Sequence, residues 1–93
     1  MIHNPARVSL IREKAAAQAK RISDLEARVK DSGIRDRLKH ARFTVGDVEH
    51  FFLSQLEREQ RTREQEARWL DYTIMALTLA ELQINQVEDA VRQ

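Results

Sequence analysis

Beyond Pro5 the chain has no proline, and its only glycines are Gly33 and Gly46. So few turn-formers leave room for one or two sharp reversals, which argues against a sheet of any size. The remainder is rich in Ala, Leu, Glu, Gln and Arg, which lose little rotamer freedom in a helix. An all-α chain is expected, and 93 residues allow at most one domain with a modest core.

The densest apolar stretch is Trp69 to Val91, which reads as one uninterrupted helix. Leu70, Leu77, Ile84 and Val91 recur every seven residues, with Thr73, Ala80 and Val87 between them. That is the seam of a helix packed lengthwise on another. A second stripe, Tyr72, Met75, Leu79 and Leu82, runs down a different side. A helix apolar on two sides implies two or more packing partners.

The first helix is punctuated at both ends. Asn4 can accept a bond from a free amide of the first turn, and Pro5 fits the first helical position. Asp31-Ser32-Gly33 reads as the stop, with Gly33 free to adopt the left-handed conformation. A helix over about 5–31 would be roughly 40 Å long at 1.5 Å per residue. Its seam is Val8, Ile11, Ala15, Gln18, Ile22, Leu25 and Val29, with Gln18 expected at the edge and partly wet. After the turn at 31–33, Ile34, Leu38, Ala41, Val45, Val48, Phe52 and Leu56 keep helical spacing. Thr44-Val45-Gly46-Asp47 has the spacing of a capping box, so a break is expected near 44–46. That gives a short helix over about 34–43 and a long one over about 47–91. Phe43, Phe51, Phe52 and Leu53 are expected to form a core corner at this bend. The run Glu57 to Arg68 has no apolar residue except Ala67 and contains no Gly, Pro, Asn or Asp. It reads as a solvated helical bridge, supported by opposite charges three and four apart.

The resulting expectation is an antiparallel helical hairpin with a long C-terminal helix, coiled-coil-like packing and completion by oligomerisation. Helix 1 would cover its partner only to about residue 60, leaving the apolar C-terminal segment bare, which soluble monomers rarely present. A homodimer is the economical remedy. Leu70, Ile74, Leu77, Ile84, Val87 and Val91 are the expected self-association residues, so an acid at Leu77 should dissociate the oligomer. Tyr72, Met75, Leu79 and Leu82 are then left for a protein partner.

Chemistry has little to work with. There is no cysteine, which excludes disulfides and thiolate metal sites. Asp36–His40 and Asp47–His50 could each share a helix face, but the buried glutamates of a di-metal bundle are missing. No glycine-rich phosphate loop occurs. Neither an enzyme nor a cofactor-binding or small-molecule site is expected, and no metal. No apolar run reaches the roughly 20 residues of a membrane span, and no secretory signal is evident, so a cytoplasmic protein is expected.

Charge is divided: residues 1–43 hold eleven Lys/Arg against five Asp/Glu, and residues 44–93 hold five against ten. Arg7, Lys14, Arg21 and Arg28 immediately precede seam residues at intervals of seven. Positions flanking a seam select partner and orientation by pairing with acids. Two functional readings follow. The first is a helical homo-oligomer acting as adaptor, inhibitor or assembly or secretion chaperone. The alternative is a nucleic-acid-binding regulator laying Arg7, Lys14, Arg21 and Arg28 against phosphates, with salt-sensitive affinity.

Overall fold

The computed structural model describes residues 2–92, and every regular element among them is helical. The elements are α1 (Pro5–Glu26), α2 (Ser32–Asp47), a π-helical turn (Val48–Phe52), α3 (Leu53–Arg58) and α4 (Arg63–Arg92). α2, the π turn and α3 form one rod, so the molecule is an up–down–up bundle of three rods. It measures 47 × 18 × 17 Å. Thirty residues of α-helix span about 45 Å, so α4 runs its whole length.

The two ends of α1 differ in how they match expectation. Asn4 Oδ1 accepts from the Arg7 amide at 3.1 Å with Pro5 in the first turn, as the sequence implies. All seven expected seam residues are buried, Val29 included, and Gln18 lies inside the seam and not partly wet at its edge as expected. The helix stops at Glu26, however, five residues early. The Leu25 carbonyl accepts from both Arg28 and Val29, which closes the last turn and returns the Val29 side chain to the core. Asp31 is a start signal, not a stop: its carboxylate accepts the Ile34 amide at 3.0 Å and caps α2. Gly33 lies in the first turn of α2, and no glycine has positive φ.

The expected break at 44–46 is absent. Thr44 Oγ1 donates back to the His40 carbonyl instead of capping a new helix, and Gly46 sits within α2. The irregularity comes two residues later. The Leu53 amide bonds the Val48 carbonyl five residues back, which inserts one residue into the helix. Leu38, Ala41, Val45 and Val48 therefore face the core and are followed by Leu53 and Leu56. An unbroken α phase would have driven Phe52 inward; the wider turn directs it toward α4.

The largest departure lies in the charged segment. It is no bridge: α3 ends at Arg58, the chain turns through Glu59–Thr62, and α4 begins at Arg63. Side chains build this turn. Thr62 Oγ1 accepts the Gln65 amide at 3.1 Å and Gln65 Oε1 accepts the Thr62 amide at 3.0 Å, a reciprocal capping box. Arg61 donates to the Gln55 carbonyl at 2.7 Å and lies 4.8 Å over the Trp69 ring. The expected long helix over 47–91 is thus two rods folded on each other. Leu70, Leu77, Ile84 and Val87, expected to bury a second copy, are buried inside this one. Ile74 and Val91 are half-buried against the same core. The expected oligomer seam is an intramolecular one.

Polar contacts fix how the rods meet. Gln18 is buried on α1, and its Nε2 donates to the Leu77 carbonyl of α4 at 3.1 Å, while its Oε1 is buried without a partner. Glu66 is buried near the start of α4, where its two carboxylate oxygens accept the amides of His3 and Asn4, each at 2.8 Å. A side chain of the third rod thus satisfies free amides at the beginning of the first. Ion pairs Arg7–Asp71 and Arg21–Glu88 join α1 to α4, and Arg12–Glu57 and Arg42–Glu26 join it to the second rod. The bonding Glu26 carboxylate also raises the Arg42 pKa above its already high ordinary value.

Two substitutions test this packing. A β-carbon on Gly46 would meet nothing within 4 Å, so Gly46→Ala should raise stability by about 1 kcal/mol in urea unfolding, the glycine penalty of a helix interior. Glu66→Ala should cost about 1–3 kcal/mol by leaving two amides unpaired, and hydrogen exchange should quicken over the first turn of α1.

Candidate interaction surface

Burying Leu70, Leu77 and Ile84 fixes the rotation of α4 about its axis. Residues advance 100° each along a helix, so Leu79 points about 160° away from Leu77. The second stripe therefore faces outward. Tyr72, Met75, Leu79 and Leu82 are 61%, 61%, 58% and 54% exposed, the values of side chains with solvent over most of their surface. All four lie on one helix at spacings of three, four and three, the interval that keeps residues on one face.

The stripe continues across the end of the second rod. The Phe52 ring packs edge-on against Trp69 at 5.4 Å and Tyr72 at 6.0 Å, and Phe51 stands edge-on to Phe52 at 5.6 Å. The Trp69 indole donates to the Phe52 carbonyl at 2.9 Å, locking the start of α4 to the π turn. Phe51 is itself half-exposed on the π turn, next to Phe52. The expected buried corner thus divides: Leu53 is core and Phe52 is half-buried, but Phe51 and Phe43 are exposed. Two adjacent phenylalanines point about 100° apart and cannot both face one core, a cue already present in the sequence. Phe43 stands apart on α2 with the Lys39 ammonium 6.0 Å from its ring centre.

The basic residues take a different part. Arg7 and Arg21 are turned toward α4, where Asp71 and Glu88 pair with them and Asn85 also accepts from Arg21. Lys14 and Arg28 are exposed, and among the described residues neither has an acid within ion-pair distance. The four cations therefore do not form one free ridge. Asp36 and His40 approach to 3.6 Å on an exposed face of α2. Among the described residues no three His, Asp or Glu side chains gather as a metal would require.

No described helix is long and apolar enough to cross a membrane. Comparison with protein-family models, curated proteins and solved structures finds no match for this chain.

Core and stripe are separable by mutation. Leu77→Asp should unfold the chain, because it buries a charge without a partner, and helical circular dichroism should collapse. Leu79→Asp should keep its helicity, with stability changed by no more than about 0.5 kcal/mol, as for a surface site.

Proposed function

We propose that this protein is a non-enzymatic interaction module, acting as an adaptor, inhibitor, or assembly or secretion chaperone by offering one apolar helix face to a second helix. The observation that carries this reading is the outward stripe Tyr72, Met75, Leu79 and Leu82 on a chain whose core is already complete without it. Contiguous exposed apolar surface marks interaction sites. The spacing suits a helical partner, whose own side chains would interdigitate with a three–four repeat. Met and Tyr add adaptability, the first through its flexible thioether and the second through a rigid ring with a polar tip.

The polar groups support the same reading from the other side. Glu66, Gln18, Arg21 and Arg42 converge on other groups, and each is engaged in holding rods together. A nucleic-acid role is weaker on this geometry, since two of its four cations, Arg7 and Arg21, already face carboxylates.

A photo-crosslinking amino acid at position 79, in the cell that makes the protein, should give a discrete protein adduct. Met75→Glu should abolish that adduct, and the same probe at the exposed Lys20 position should give none. Absence of any protein adduct at position 79 would reject an interaction role for this face.

A further inference from the structure

We propose that the occupant of this face is a second copy of the chain, packed antiparallel so that the two α4 helices form the centre of a six-helix dimer. This rests on the interaction reading above and names its partner. The stripe is self-complementary under a two-fold axis. Place the axis level with Leu77, and Tyr72 meets Leu82 of the second copy while Met75 meets Leu79 of it. Every large apolar residue of the stripe then has an apolar counterpart, and each large side chain in the outer pairs faces a smaller one. Isologous two-fold contacts require this reciprocity.

Charge selects the direction. One turn before Tyr72, the same face of α4 carries Arg68, and one turn after Leu82 it carries Gln86 and then Asp89. In the antiparallel register Arg68 meets Gln86, with Asp89 a turn beyond it. In the parallel register Arg68 would meet Arg68, a like-charge contact inside the seam. The flanking positions agree: Asp71 would lie beside Asn85, and Ala76 and Thr78 would each lie beside themselves. Those two short side chains sit at the axis, where the helices must come closest. No like charges oppose one another along either edge, which a pairing edge requires. α1 and the second rod do not obstruct the approach, because the stripe lies on the side of α4 away from the core.

The absence of native cysteine makes the register directly readable. Positions 72 and 82 are ten residues apart, about 15 Å along the helix, whereas a disulfide needs Cα atoms within about 7 Å. Under mild oxidation, Tyr72→Cys mixed with Leu82→Cys should yield a mixed covalent dimer, and neither variant alone should link to itself. Sedimentation equilibrium of the wild-type chain should reach twice 10.9 kDa by about 100 µM. Leu79→Asp should raise the dissociation constant at least about tenfold while circular dichroism stays helical. Self-linking of Tyr72→Cys alone, the signature of a parallel pair, would overturn the proposal. So would a wild-type chain that stays monomeric at about 100 µM. In that case a photo-adduct at position 79 to a protein of another mass would leave the interaction reading standing and remove only the second copy.

Discussion

The reciprocal bond between Thr62 and Gln65 decides what the rest of the molecule can be. It starts α4 immediately after the chain has left α3, and so folds the C-terminal helix back along the other two rods. With that reversal, Leu70, Leu77, Ile84 and Val87 have somewhere to go inside one chain. Without it they would lie bare along a protruding helix. The core then fixes the rotation of α4, and the rotation fixes which residues face water. The outward stripe is a consequence of a turn more than ten residues before its centre.

Three polar arrangements keep that solution unique. Gln18 reaches the Leu77 carbonyl, Glu66 holds the amides of His3 and Asn4, and the Trp69 indole holds the Phe52 carbonyl. Each joins α4 to a different part of the fold: the middle of α1, its beginning, and the π turn. Apolar contacts alone tolerate sliding of one helix along another, whereas a directional bond to a particular carbonyl or amide does not. The buried, unpaired Oε1 of Gln18 is the cost of one such bond. A single polar residue in a seam can fix register at the expense of stability.

Much of this was legible in the sequence. The helical class, the Asn4 cap, the whole α1 seam and the two stripes of α4 follow from residue types and spacing. What misled was the turn at 59–62, because reversals are usually sought in Gly, Pro, Asn or Asp. Here Arg61, Thr62 and Gln65 make the reversal with side-chain bonds, and the Thr-x-x-Gln spacing was its one local sign. The π turn was also hidden: the helical spacing from Val48 through Phe52 to Leu56 fits an unbroken helix equally well. Only packing against α4 prefers Leu53 inward over Phe52. Without that turn the core seam of α4 would lie outside the bundle, which is why the spacing of the first stripe alone implies a partner that the folded chain does not need. The second stripe kept its exposure, because its place opposite the first depends only on helical geometry.

Among the described residues, the four ion pairs between rods all include α1, whereas the face between the second rod and α4 is apolar and aromatic. Arg7, Arg12 and Arg21 reach outward from α1, and Glu26 receives Arg42. Electrolyte weakens exposed pairs and leaves buried apolar contact in place. Ionic strength therefore acts on the rim of α1 alone: added salt weakens its exposed pairs, while its buried seam and the apolar contact between the second rod and α4 keep their grip.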